Sequence, residues 1–130
     1  MRHVASENIE WDPQSEEHFT GQVWFGPLHH EKPDGLLSLA VHFSPGARTD
    51  WHTHAEGQTL YCVYGAGLVQ KDDGETVSFS AGDAVSSPPG ERHWHGATAD
   101  SHMMHLSLTT GPLTEWFPEK VTDEEYQRRG

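Results

Sequence analysis

The sequence has little of what would mark it as secreted, membrane-bound or redox-active. It has one cysteine among 130 residues, so no disulfide can form within the chain. That residue, Cys62, lies in the apolar run 60–64 and is expected to be a small buried hydrophobic residue rather than a nucleophile. No N-terminal apolar run resembles a signal peptide, and no stretch is long enough to span a membrane. These absences predict one cytoplasmic domain.

Basic residues are also scarce. Eight Lys and Arg stand against 20 Asp and Glu, which gives a formal net charge of −12 at pH 7. A chain of this charge is repelled by the phosphates of nucleic acids and of anionic lipids. We therefore expect neither nucleic acid nor a membrane surface among its partners.

Helical periodicity is absent before Thr114. The sequence there consists of short apolar stretches broken by Gly, Pro, Asp and Ser, which is typical of an all-β sandwich or barrel. Only the tail resembles a helix, with Thr122 as its cap and acidic residues in its first turn. We predict an N-terminal arm over residues 1–20, a β-barrel over 21–115, and a tail with a short helix over 116–130.

The chain is rich in histidine, with eleven in all, and two segments hold the informative ones. His52 and His54 are two residues apart, so on a strand both side chains point to the same face. Gly57 would let the chain kink so that Gln58 returns to that face. His93 follows the rigid corner at residues 88–90 in the second segment. These four residues predict a metal site.

The expected donors are three imidazoles and one amide oxygen, without a thiolate. Such a set suits Mn, Fe, Co, Ni, Cu or Zn and disfavours Ca or Mg. Because all four ligands are neutral, the ion would keep its whole charge and favour an anionic or deprotonated ligand. We expect Mn or Fe, with Zn, Ni, Co and Cu as alternatives. The competing interpretation, surface histidines on a hairpin, requires the spacing of both segments to be coincidence.

The two segments resemble the two sequence motifs of the cupin superfamily. In the first motif Gln58 stands where an acid is usual, and in the second Ala97 stands where asparagine is usual. The resemblance implies a single-domain double-sheet jelly-roll β-barrel with the metal inside, and a homodimer. The matching positions are Gly46, His52, His54, Gly65, Gly82, Pro88, Gly90 and His93.

Residues 51–54, 57–60 and 93–97 further resemble the bacterial cupin hydroxynitrile lyases, in which glutamine replaces the acid as Gln58 does here. This resemblance implies a metal-dependent lyase that cleaves or forms a C–C bond in small cyanohydrin-like hydroxy compounds. It also implies that His105 lies near the metal as a candidate base, although a core histidine is an equal alternative. A metal-dependent dioxygenase and a non-catalytic metal- or ligand-binding cupin are the other hypotheses.

Two more residues are candidates for the site. His95 has the same parity as His93 and should also point inward, as a second polar contact or base. Thr49 is expected either to bind substrate or to cap a turn. The remaining histidines have no partner pattern and are expected to be solvated or to lie at sheet edges: His3, His18, His29, His30, His42 and His102.

Overall fold

The computed structural model describes residues 1–29 and 35–128, so His30 and Arg129 lie outside the described residues. One short 3-10 turn, Ser6–Asn8, precedes the strands, and the helix α1 spans Asp123–Gln127. The described strands are β1 Asp12–Pro13, β2 Phe19–Thr20, β3 Val23–Pro27, β4 Leu37–Phe43, β5 Arg48–Thr49, β6 His52–Thr53, β7 Gln58–Lys71, β8 Thr76–Ser80, β9 Ala84–Ser87, β10 His93–Ala97, β11 Met103–Thr109 and β12 Glu115–Trp116. The predicted all-β fold with a short C-terminal helix is confirmed.

One long strand joins two antiparallel sheets into a barrel. The first half of β7 pairs with β11 and β9, and its second half pairs with β10 and β8. Gly65 lies between the halves with φ at 81°. A Cβ atom there would lie 1.8 Å from the carbonyl oxygen of His102, so only glycine allows the strands to approach this closely.

The barrel interior is packed with side chains from both sheets. Phe43, Leu60 and Met103 are almost fully buried in this core, and Cys62 is buried there as predicted. Residues of the predicted N-terminal arm contribute as well, because β1 pairs with β3, β2 pairs with β5, and Phe19 is buried. The arm therefore closes the barrel wall, while the proposed boundaries at residues 20 and 115 stay a prediction.

A second, smaller core lies outside the barrel, under the C-terminal segment. Trp94 on β10 is fully buried against Val121 and Tyr126. The hydroxyl of Tyr126 donates to the carbonyl oxygen of Ala97 at 2.5 Å. Burying the outer side of β10 in this way fixes the strand whose inner side carries two histidines.

Polar contacts fasten the same segment to the barrel. Arg48 donates to the carbonyl oxygen of Val121 at 2.8 Å and pairs with Asp123 at 2.7 Å. Lys120 lies 3.1 Å from the buried carboxylate of Asp50. The helix then begins with a reciprocal capping box, in which the Thr122 side chain accepts from the backbone of Glu125 and the Glu125 side chain accepts from that of Thr122.

No helix within the described part of the chain is long and apolar enough to cross a membrane.

Candidate metal centre

Strand alternation places a row of polar side chains on the inner wall of the barrel. On β10, His93 and His95 point inward and Trp94 points outward. On β11, the inward positions run from Met103 through His105, Ser107 and Thr109, all of them buried. The predicted inward orientation of His95 follows from this alternation, since β10 has no bulge between His93 and His95.

Two of the predicted ligands are held by backbone carbonyls on the side away from the cavity. Nδ1 of His52 donates to the carbonyl oxygen of Asp50 at 2.9 Å, and Nδ1 of His93 donates to that of Glu91 at 2.9 Å. Each bond fixes the ring and its tautomer, so that Nε2 carries a free electron pair. Both rings are therefore oriented as metal-binding histidines usually are.

The other two predicted ligands lie beside them. Oε1 of Gln58 is 3.0 Å from Nε2 of His93, and the amide nitrogen of Gln58 donates to Oγ of Ser107 at 2.9 Å. The ring of His54 lies 5.1 Å from that of His52, and its Nε2 is buried without a hydrogen-bond partner in the described chain. A buried ring nitrogen without a partner is costly unless an ion or ligand occupies the space in front of it.

His95 and His105 form a hydrogen-bonded pair. Nδ1 of His95 lies 3.0 Å from Nε2 of His105, and both rings are buried. Thr49 supports the pair from behind, because its hydroxyl accepts from the backbone N–H of His95 at 3.2 Å and donates to the carbonyl oxygen of Asp50 at 2.9 Å. Thr49 thus lines the cavity while its hydroxyl is engaged with the backbone.

Three buried histidines lie close enough together to bind one ion, and two of them belong to the predicted set of four. One ligand atom from each of His52, His93 and His95 lies within 4.8 Å of the others, and all three residues are buried. These three histidines are placed to bind a metal. The predicted set shares His52 and His93 with this group and adds His54 and Gln58, which lie next to it.

Burial keeps these imidazoles neutral. It lowers the pKa of His54 to about 4 and that of His105 to about 3. The pKa values of His52, His93 and His95 are also lowered, first by burial and, for His52 and His95, further by neighbouring histidines. A neutral ring is the form that binds a cation or accepts a proton.

The histidines face a cavity of about 390 Å³. Its opposite wall is apolar, with Phe25, Leu39 and Val41 among the lining residues. His18 closes the rim by stacking on Trp116 with ring centroids 4.4 Å apart. The space suits a small ligand with one polar and one apolar end.

Ser107 is the part of this arrangement that the sequence did not reveal. A serine within an apolar strand gives no signal by itself, and its importance depends on the pairing of Thr109 with Gln58 across β11 and β7. That register brings Ser107 beside the amide, where its hydroxyl decides which amide atom faces His93.

Comparison with known proteins agrees with this geometry. The model of the Cupin domain matches residues 39–109, which include the four predicted ligands and the pair His95 and His105. The chain belongs to the cupin family. It is 44% identical over 114 residues, 85% of this chain and 86% of the relative, to the (R)-mandelonitrile lyase of Granulicella tundricola.

Solved structures show the same fold. A cupin-like protein from Thermotoga maritima is 36% identical, with a TM-score of 0.84 and coverage of 90% of this chain and 91% of that one. The polyketide cyclase RemF from Streptomyces resistomycificus is 20% identical with a TM-score of 0.77, covering 98% of this chain and 91% of that one. At that identity, RemF supports the fold alone.

Proposed function

We propose that this cupin is a metal-dependent lyase that cleaves or forms the C–C bond of small cyanohydrin-like hydroxy compounds. The observation that carries the proposal is the buried pair His95 and His105 beside the metal-binding histidines, facing a small and partly apolar cavity. The 44% identity to an (R)-mandelonitrile lyase supports the same chemistry.

We assign the metal to His52, His54, Gln58 and His93, with Mn or Fe preferred over Zn, Ni, Co and Cu. Nε2 of His52 and of His93 is left free by the backbone bonds at Nδ1, and Nε2 of His54 has no other partner in the described chain. We assign His95 to proton transfer rather than to the metal, because its Nδ1 lies 3.0 Å from Nε2 of His105. When bound, the ion would supply Lewis acidity toward the substrate hydroxyl.

The histidine pair would then move the proton. In the cleavage direction the pair takes the hydroxyl proton, the C–C bond breaks, the oxygen becomes the carbonyl oxygen, and cyanide leaves with the electron pair. The same proton, returned by the pair, converts cyanide to hydrogen cyanide, so no other reactant is needed. Because His95 and His105 are directly hydrogen-bonded, they act as one unit in proton transfer, whichever of the two rings faces the substrate.

The test is turnover of mandelonitrile by the metal-loaded protein without oxygen, followed by the appearance of benzaldehyde. We expect His95→Gln and His105→Gln each to lower kcat by about 100-fold or more while the metal content stays unchanged. Unchanged rates in both variants would contradict the proposed base.

Two alternatives have distinct outcomes in the same assay. An oxygenase, which open positions on a bound iron would allow, consumes oxygen and is inactive without it. A non-catalytic ligand-binding cupin shows saturable binding without product. The chain is 14% identical, with a TM-score of 0.74, to a protein from Methylibium petroleiphilum described as a putative acetylacetone dioxygenase, which supports the fold only.

The predicted homodimer is a separate proposal. Light scattering of the metal-loaded protein during size-exclusion chromatography would test it, with twice the 14.5 kDa chain mass as the expected value.

A further inference from the structure

A second cluster of histidines lies on the outer surface of the barrel. His42 is on β4 between the core residues Val41 and Phe43, so its side chain points away from the barrel interior. Its Nε2 lies 3.3 Å from Nδ1 of His102, and the hydroxyl of Tyr64 bonds its Nδ1. No sequence pattern predicts this pair, because His42 and His102 are 60 positions apart.

We propose that His42 and His102 form a second metal site, on the outer face of the barrel, that binds a Zn²⁺-like ion. This site would be separate from the inner site, because the wall of the barrel lies between them. We call His42, His102 and Tyr64 the outer cluster.

The distance between the two nitrogens fits the ion. A zinc–imidazole bond is about 2.0–2.1 Å long, so two nitrogens on one tetrahedral ion are separated by about 3.3 Å. The observed separation of Nε2 of His42 and Nδ1 of His102 is 3.3 Å. Small rotations of the two rings would direct both electron pairs at one ion placed between them.

The hydroxyl of Tyr64 bonds Nδ1 of His42, as backbone carbonyls bond Nδ1 of the inner histidines His52 and His93. A histidine that binds metal through one nitrogen is usually oriented by a hydrogen bond at the other. Tyr64 makes that bond to His42, and its ring centroid lies 5.7 Å from that of His42. In the tautomer whose Nδ1–H donates to the hydroxyl oxygen of Tyr64, Nε2 of His42 carries the electron pair and is the coordinating atom.

The surroundings favour a neutral ligand pair that an ion can reach. His102 is exposed and His42 is partly exposed, at the edge of a groove of about 400 Å³ lined also by Trp24 and Met104. Partial burial, and next the nearby His102, lower the pKa of His42, so its ring is neutral near pH 7. The chain's net charge of −12 attracts cations to the surface. Solvent would complete the coordination.

An ion here would join two parts of the barrel wall. His102 directly precedes β11, the strand that carries His105, whereas His42 lies on the neighbouring strand β4. The ion would tie the start of β11 to β4 and stabilise the fold through binding to the native state only.

The test is a titration with Zn²⁺ monitored by NMR of the histidine rings, which reports each histidine separately and so is independent of occupancy of the inner site. In the wild type we expect the signals of His42 and His102 to shift together and to saturate below millimolar Zn²⁺. In His42→Gln the response of His102 should disappear, and in His102→Gln that of His42.

Two further variants make the test specific. Tyr64→Phe keeps both ligands and should weaken Zn²⁺ binding at the outer cluster by about 10-fold, because the orienting bond is lost. His3→Gln, which removes an exposed histidine outside the cluster, should leave the response unchanged. An unaltered response of His102 in His42→Gln, or no common response in the wild type, would overturn the proposal.

Discussion

Two histidine pairs lie on opposite sides of the same barrel wall, and they differ mainly in their access to water. The inner pair, His95 and His105, is buried, with nitrogens 3.0 Å apart. The outer pair, His42 and His102, is partly or fully exposed, with nitrogens 3.3 Å apart. Phe43 separates them, since its ring contacts both inner rings and the next residue back is His42.

Both pairs consist of two imidazoles in contact, so the difference between their chemical properties follows from burial rather than from the pairing of the rings. Burial lowers the pKa of the fully buried His105 to about 3, and it also lowers the pKa of His42, which is only partly buried. The inner pair is therefore neutral over a wide pH range and can exchange protons with a ligand in the cavity. The outer pair is open to ions from solution.

The largest expected effect comes from removing an inner ligand. His52→Ala should lower the affinity of the inner site for metal by about 100-fold or more, because it removes a ligand whose electron pair is already oriented. Elemental analysis after gel filtration and a melting scan with added metal would measure this. His42→Ala is the matched control and should retain the inner metal. Equal metal loss in both variants would contradict the separation of the two sites.

A smaller loss is expected from Ser107→Ala. Without the hydroxyl at 2.9 Å, the amide of Gln58 can flip and present its NH₂ group to the ion, so the affinity should fall by about 10-fold. Ser107→Thr keeps the hydroxyl and should retain the affinity, as measured by competition with a chelator. Equal affinity in Ser107→Ala and the wild type would show that Gln58 is not held for metal binding.

Acid should destabilise the metal-free protein because of the inner histidines. Their pKa values in the folded state, about 4 for His54 and about 3 for His105, lie below the ordinary value of 6.5, so the unfolded chain binds more protons between these values. The free energy of unfolding should therefore fall as the pH decreases from about 6.5, by about 1.4 kcal/mol per pH unit for each such group.

The pairs can be compared directly by this measurement. In His105→Leu, the free energy of unfolding of the metal-free protein, measured with urea from pH 7 down to pH 5, should depend less steeply on pH than in the wild type. The difference in slope should correspond to nearly one proton taken up on unfolding. His42→Leu should change it less, because His42 is only partly buried. An equal change in both variants would mean that burial does not distinguish the pairs.

The smallest effect is expected at a site remote from both pairs. Thr122→Ala removes one side of the capping box and should lower the free energy of unfolding by about 1 kcal/mol. The ring signals of the inner and outer pairs should stay unchanged in NMR spectra. A shift of His95 would instead show that the helix reaches the inner pair through β10.

The sequence predicts the barrel well because its strands and turns follow local rules, whereas the roles assigned to the inner residues stay a prediction. The two-residue periodicity of a strand places His93 beside His95, and glycine positions mark where the chain turns. His42 and His102 are partly or fully exposed, as expected of solvated or edge histidines, but their contact was not predicted, since it depends on how β4 aligns with the start of β11. Ser107 was missed for the same reason, because a register between strands cannot be read from one strand alone.

Packing and a salt bridge of the C-terminal segment connect the candidate metal centre to the end of the described chain. Val121 and Tyr126 cover the outer side of the strand that carries His93 and His95. Lys120 forms a salt bridge with the carboxylate of Asp50, and the backbone carbonyl of Asp50 orients His52. The contacts of this segment therefore help to hold three inner imidazoles, His52, His93 and His95, from outside the cavity.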